Sequence, residues 1–326
     1  MMRAVYHKAF GDADVLEVGD LPKPEPGPDQ VLVKVAAAGV NPIDHRLRAG
    51  ALQNDVTRHY PIVPGRDFAG TIAAVGAVVE GWQVGDEVLG LAFCRPPGPC
   101  PGTYAEYVSV PADAIAAKPP QLDFSEAAAI PLVSLTAWQA LVEVGGLERG
   151  QSVLIQAGAG GVGSIAIPIA KYLGARVYTT ASARNVDYVK RLGADIAIDH
   201  LSENYVRVIE LHEPEGLHLV LESLDDEAAV RAAPTLVRDG GAVVYLDSEP
   251  PDLPDFQERQ IRGAFLHHRA DGAMLAEIVA LIAAGSLPQP SVEVLPLDQA
   301  AEAHRRIASS RTVGKLVLDV AGGAQS

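Results

Sequence analysis

The sequence predicts an α/β protein of two domains: a β-rich N-terminal half, then a parallel sheet wound with helices on both faces. Three observations carry this. The first 120 residues hold β-branched runs broken by Gly and Pro, among them QVLVKVAAAGV, AGTIAAVGAVV, GDEVLGLAF and TYAEYVSV. From about residue 121, strand-length apolar runs alternate with helical ones, the pattern of a parallel sheet. One strand-to-helix junction is QAGAGGVG, residues 156–163, whose glycine content suits a phosphate cradle.

In chain order, MMRAVYHKAFGDADVLEV reads as strand, turn and strand, and the proline-rich LPKPEPGPDQ as a surface turn. DFSEAAAIPLVSLTAWQALVEV is helical, with Ser125 as its expected cap. SVLIQA leads into the glycine helix, followed by ARVYTTA, the helix ARNVDYVKRLGA, IAIDH, a helix over 202–212 and LHLVLES. DEAAVRAAPTLV is the next helix, GAVVYLD the next strand and GAFLHH a sixth. After 270 come the helix GAMLAEIVALIAAG, the strand VEVLPL, the helix DQAAEAHRRIASS and GKLVLDV, a tail expected to return to the first domain. Pro168 falls inside the glycine helix and predicts a kink.

Composition bounds the function. The 326 residues suffice for two domains, and 48% apolar content supports sizeable cores. With 26 basic and 41 acidic residues the net charge is −15, which argues against nucleic-acid and anionic-membrane partners. No run approaches the roughly 20 apolar residues of a membrane span, and the N-terminus lacks a signal-peptide core. Cys94 and Cys100, the only cysteines, share one loop and make no disulfide framework, so a reducing cytoplasm is the expected compartment.

Gly158, Gly160 and Gly163 have the spacing G-x-G-x-x-G. The first is expected to allow the tight turn, the second to let the backbone approach a pyrophosphate, the third to let helix and strand pack closely. Gly158, Ala159, Gly160, Gly161, Val162 and Gly163 are thus the expected cradle, with the helix N-terminus offering free N–H groups. A structural turn without ligand is the alternative. The second strand ends VYTTASARN, with no acid before Asp187. A carboxylate there would bind a ribose 2′-hydroxyl and repel a 2′-phosphate. Ser182 and Arg184 suit the phosphate, so NADP(H) is expected over NAD(H). Alternatively, Arg184 only caps a helix start.

The segments AAGVNPIDHRLRAG, PIVPGRDFAGTIAAVG, VGDEVLG, TYAEYV, AAAIPLVSLTAWQAL, GAGGVGSIAIPIAKYLGA and GKLVLDV span nearly the whole chain. Together they resemble the zinc-independent medium-chain dehydrogenases/reductases of the quinone oxidoreductase, or zeta-crystallin-like, type. The resemblance implies a GroES-like catalytic domain over 1–120, completed by 269–326, and a Rossmann NADP-binding domain over 121–268. It implies NADPH in the cleft, a homodimer joined through the Rossmann domains, and hydride transfer to a quinone or an α,β-unsaturated carbonyl. A non-redox cyclase or isomerase on the same fold, and a non-enzymatic dinucleotide-binding protein, are the alternatives.

The same resemblance puts Asn41 and Asp44 beside the nicotinamide and Thr136 near the cofactor's ribose and ring. His200 is the nearest match to a polar residue after the third strand. Asp44 reads equally as a helix cap, and Asn41 as a turn residue satisfying backbone groups. Asn41 and Arg66 stand where metal-dependent relatives hold a cysteine and a histidine. Neither is a zinc ligand, so no metal is expected. Many relatives carry a tyrosine within or just after the stretch matching DHRLRAGAL. Here there is none, and Tyr60 is the nearest candidate proton donor. Phe93, in the loop AFCRPPGPCPG, either rims the substrate pocket or belongs to a plain connection.

Overall fold

The β-branched runs of the first half form strands, and a computed structural model of the chain, which describes residues 1–51, 59–93, 101–224 and 226–322, shows how they pair. β1 (Met2–Tyr6) and β2 (Glu17–Leu21) form an antiparallel ribbon. β3 (Gln30–Val40) is the longest strand and leads directly into helix α1 (Pro42–Ala49). β4 (Asp67–Val75), β5 (Glu87–Leu91), β6 (Tyr107–Pro111) and β7 (Ile115–Ala117) follow. β4 runs along one edge of β3, from Val31↔Val75 to Gly39↔Asp67. On the other edge β6 takes the first half of β3. Valines at alternate positions of β3, Val31, Val33 and Val35, are buried with Phe68, Val88 and Val108 in this unit's core.

The helical run from residue 123 divides in two. Helix α2 (Phe124–Ala128) is capped by Asp123, not Ser125. The Glu126 N–H donates to Asp123 Oδ1 at 2.8 Å, and the Asp123 N–H donates to Glu126 Oε2 at 2.9 Å. This reciprocal pair satisfies two donors of the first turn, whereas Ser125 lies inside it. Pro131, with no N–H to continue α2, starts helix α3 (Pro131–Trp138), which passes into one π-helical turn over Gln139–Val144. The first compact unit comprises Met1–Leu135, Arg269–Gly285 and the chain from Gln289 onward. It therefore runs past residue 120. Gly39 helps to explain why: a Cβ there would lie 2.5 Å from the Ala128 carbonyl oxygen, so β3 accepts α2 at backbone contact.

The second unit holds Thr136–His268 with Ser286–Pro288. Strands and helices alternate through β8 (Ser152–Ile155), α4 (Gly161–Tyr172), β9 (Arg176–Ala181), α5 (Val186–Arg191), β10 (Ile196–Asp199), α6 (Tyr205–His212), β11 (Leu217–Glu222), α7 (Glu227–Ala232), β12 (Val237–Tyr245), α8 (Asp255–Glu258) and β13 (Arg262–Phe265). All six strands are parallel, in the order β10-β9-β8-β11-β12-β13. This is the Rossmann order, and the winding direction reverses between β8 and β11, where such sheets bind ligands. Helix α4 continues through Pro168, whose missing N–H leaves the Ser164 carbonyl without its helical donor.

Helix α9 (Gly272–Ala283), β14 (Val292–Pro296), α10 (Ala300–Ala308) and β15 (Lys315–Asp319) return the chain to the first unit. β15 pairs antiparallel with the second half of β3, beyond β6. Lys315 opens β15 and is fully enclosed. Its Nζ donates to Asn41 Oδ1 at 2.5 Å and to the Val40 carbonyl at 3.2 Å, and lies 3.2 Å from Asp67 Oδ2. Asn41 Nδ2 donates to the same Asp67 oxygen at 2.8 Å, and the Leu132 N–H donates to Asp67 Oδ1 at 2.7 Å. One buried charge pair thus ties β3, β4, α3 and β15 together. Lys315→Met would strand the Asp67 carboxylate in the core at a cost of about 3–5 kcal/mol. Urea unfolding followed at Trp82 in a Trp138→Phe background measures it. A loss under about 1 kcal/mol would show that the pair does not clamp the tail.

Candidate active site

In the second unit the three glycines divide by what surrounds them. A Cβ on Gly158 would sit 2.0 Å from Thr179 Oγ1 on β9, and one on Gly163 would sit 2.5 Å from the Ala157 carbonyl oxygen. Both positions are closed by the fold itself. Gly160, at φ −76° and ψ 177°, has an ordinary extended backbone, and a Cβ there would meet only the Ala157 oxygen, at 3.2 Å. Its bare face is open, as close approach by a ligand requires. The left-handed residue of the turn is Ala157, at φ 50°, so Gly158 serves packing against β9 instead of the turn's handedness.

Gly160 precedes α4, and the N–H groups of Gly161, Val162 and Gly163 have no carbonyl one turn behind them within that helix. They form an anion-binding terminus beside Ala159, at the switch point of the sheet. Further out, β9 and β10 end side by side, with Ala181 opposite Asp199. Ser182 and Arg184 follow the first and His200 the second. The His200 N–H reaches the Ala181 carbonyl at 3.2 Å. Ser182 is half-buried, while Arg184 and His200 are exposed. Thr136, in α3, is buried, and its hydroxyl has no hydrogen-bond partner among the described residues. An open glycine, free helical N–H groups and an orphaned hydroxyl fit a dinucleotide.

In the first unit a small recess, partly open to solvent, is lined by polar groups, including His7, Asp44, Arg48 and Arg66, and by an apolar wall that includes Leu47 and Ile62. Asp44 is the third residue of α1, and its Oδ2 accepts the Asn41 N–H at 2.8 Å, closing the helix start. The same oxygen accepts the Tyr104 hydroxyl at 3.3 Å, and His304 Nε2 lies 3.4 Å from that hydroxyl. Asp44, Tyr104 and His304 are all buried. Burial pushes the Asp44 carboxyl up to about 7, against the opposing pull of the Asn41 N–H. It pushes the His304 imidazole down to about 3 and the Tyr104 phenol well above its ordinary value.

Asn41 spans Lys315 and Asp67, so both ends of its amide are engaged inside the unit. Tyr60 does not line the recess. It is 46% exposed and packs edge-on against Phe10 and His7, with ring centroids 5.6 and 5.9 Å apart. Phe93 lies beneath the Arg66 guanidinium, 4.8 Å from its ring centre. Cys94 and Cys100 fall outside the described residues. Sequence reasoning passed over Tyr104, Arg48, His304 and Lys315. TYAEYV and GKLVLDV entered only as a β-rich run and a returning tail that carry the family resemblance, with no site role for their side chains, and no spacing rule links positions 104 and 304.

A zinc ion does not fit this donor set. The ammonium of Lys315 holds the Asn41 oxygen, and the Arg66 position presents a guanidinium where an imidazole would be needed. Among the described residues no three His, Cys, Asp or Glu side chains converge as a metal site.

Residues 27–120 match the Alcohol dehydrogenase GroES-like domain family and residues 192–318 the Zinc-binding dehydrogenase family. A 2-methylene-furan-3-one reductase of Solanum lycopersicum is 34% identical over 97% of this chain and 79% of its own length. An NADPH-dependent alkenal/one oxidoreductase of Arabidopsis thaliana, a chloroplast protein, is 32% identical over the same shares. The chain belongs to the medium-chain dehydrogenase/reductase superfamily. The solved quinone oxidoreductase of Coxiella burnetii superposes with a TM-score of 0.86 at 32% identity, covering 98% of this chain and 99% of that one.

Two outcomes test the site. Gly160→Val should abolish NADPH binding in calorimetry while the apo protein keeps its thermal midpoint, because valine adopts this φ and ψ without strain. Normal binding by the variant would remove Gly160 from the cradle. The second concerns Asp44, whose folded-state value lies above the ordinary 3.8. Between the two values the folded chain holds a proton that the unfolded chain has released, so Asp44 costs stability as pH rises. Relative to wild type, Asp44→Asn should gain about 2–3 kcal/mol of unfolding free energy between pH 5 and pH 8. A pH-independent difference would show an ordinary carboxylate.

Proposed function

We propose that this chain is a zinc-independent, NADPH-dependent reductase of quinones or α,β-unsaturated carbonyls. The observation that carries the reading is the glycine turn, closed at Gly158 and Gly163 and open at Gly160. It lies in a chain one-third identical along nearly its whole length to an NADPH-dependent alkenal/one oxidoreductase. The cofactor supplies a hydride when bound. The protein's part is to hold the pyrophosphate on the N–H groups of Gly161, Val162 and Gly163, with Ala159 and Gly160 beside them. Thr136 offers its hydroxyl to the ribose or ring, and Ser182, Arg184 and His200 receive the 2′-phosphate. Asn41 and Asp44 are the proposed acceptor-side residues, and Tyr60 stands outside the recess they adjoin.

The acid-free loop after β9 supports NADPH over NADH. Asp199, at the end of β10, accepts the Ser202 hydroxyl at 2.6 Å and the Leu201 N–H at 3.2 Å, and its carboxylate is also held by the backbone N–H of Ala183 in the β9 loop. We further propose a cytoplasmic homodimer. Among the described residues β13 pairs only with β12 and leaves an edge on which a second copy can continue the sheet.

NADPH consumption against a quinone and enone panel, with a chelator present, tests the activity. Failure with every acceptor would favour a non-redox isomerase or a binding protein. Arg184→Ala should weaken NADPH by about 1–3 kcal/mol more than NADH, the scale of a charge-assisted contact. Equal losses for both cofactors would remove Arg184 from the phosphate site.

A further inference from the structure

A reductase of conjugated carbonyls must also place a proton. Hydride adds to the β-carbon and leaves an enolate, and a C–H bond must then form at the α-carbon. Quinone reduction differs, because both protons go to oxygen and solvent supplies them. The sequence offers no tyrosine in the stretch DHRLRAGAL, and Tyr60 does not line the recess.

Asp44 has the geometry of an acid. Its two oxygens are treated differently: Oδ2 accepts both the Asn41 N–H and the Tyr104 hydroxyl, while Oδ1 is buried with no hydrogen-bond partner among the described residues. An oxygen accepting two donors is not the one carrying a proton, so a proton held by this carboxyl sits on Oδ1. Behind Oδ2 the Tyr104 hydroxyl is already committed to Asp44. His304, kept neutral by burial, therefore donates its Nε2–H to the Tyr104 oxygen. Both bonds point toward Oδ2 and fix the carboxyl's orientation. The groups acting on Asp44 are Arg66 and Lys315, which favour its anion, and Asp67, which opposes it. His7 and Arg48 line the same recess, and the His7 Nδ1 is tied to the Ala9 carbonyl at 2.8 Å.

We infer that Asp44 is the catalytic acid of enone reduction, with Tyr104 and His304 as positioning residues that keep its proton on Oδ1. The step balances: the Oδ1–H bond breaks, its proton forms the α-C–H bond of the saturated carbonyl, and Asp44 is left as a carboxylate. Solvent then returns one proton, giving a net uptake of one hydride and one proton per enone. This rests on the reductase reading above.

The test uses an α-methyl enone and NADPH in D2O. Wild type should deuterate one face of the α-carbon, with a rate that falls as pH rises through about 7. Asp44→Asn should give both α-epimers, lose that pH limb and lower the enone-to-quinone turnover ratio at least tenfold. Tyr104→Phe removes a donor to the carboxylate, so it should keep facial selectivity and move the limb to higher pH. Infrared spectra of the apo protein should show a carboxylic-acid C=O band that titrates in the same range and is missing from Asp44→Asn. Unselective deuteration by an active wild type overturns this inference alone, as does an Asp44→Asn variant that retains selectivity and the limb. No NADPH consumption with any acceptor overturns the reductase reading and this inference with it.

Discussion

The Asp67–Lys315 pair is the constraint on which the first unit depends. The two residues are 248 positions apart, yet both are enclosed, and Asn41 bridges them. Separating two charges from water is repaid only when further hydrogen bonds complete the site. Here the Val40 carbonyl, the Leu132 N–H and the Asn41 amide do so. Their backbone positions are thereby fixed: the end of β3, the start of β4, the first turn of α3 and the start of β15. The start of α1 follows directly, because Asn41 is also its N-terminal cap residue. The same charges exclude a metal cation, since an ammonium already occupies the oxygen such an ion would use.

That clamp sets the character of the neighbouring carboxyl. Asp67 has a cation in contact and donors on both oxygens. Asp44, three residues along the chain from Asn41, has neutral donors on one oxygen and, among the described residues, none on the other. Burial without a contacting cation favours the protonated form, and the cations at Arg66 and Lys315 act only from a distance. Two buried acids on adjoining elements therefore differ in surroundings. One is in contact with an ammonium, and the other is pushed by burial toward its protonated form.

The second unit was largely legible in the sequence because its information is local. Strand, turn and helix follow one another, and a fixed glycine spacing marks the site. The spacing did not reveal that the three glycines are constrained by different atoms, or that Ala157 takes the left-handed conformation. Those depend on β9, some twenty residues further on, packing against the turn. Helix boundaries were legible only where chain chemistry decided them. Pro131 divides the run after Ile130, and Asp123 outcompetes Ser125 as the cap because only Asp123 has Glu126 three residues ahead. The first unit's polar cluster was not legible. Tyr104 and His304 meet across 200 residues, and each lies in a segment whose local pattern specifies only strand or helix.

This difference has a physical origin that bears on function. The second unit presents backbone to its ligand: N–H groups at a helix start and a glycine with open space. Backbone recognition needs few side-chain identities and tolerates divergence around a short motif. The first unit presents side chains converging from α1, the segment before β6 and α10, each oriented by partners in the core. Reaction type in such a unit changes through single residues. Arg66 presents a guanidinium and not a zinc-binding imidazole, and the stretch DHRLRAGAL holds no tyrosine, so neither of those groups manages charge on an acceptor there. A buried carboxyl pinned at one oxygen by Tyr104 is then the group in the recess whose environment, fixed by the Asn41–Asp67–Lys315 clamp beside it, favours holding a proton.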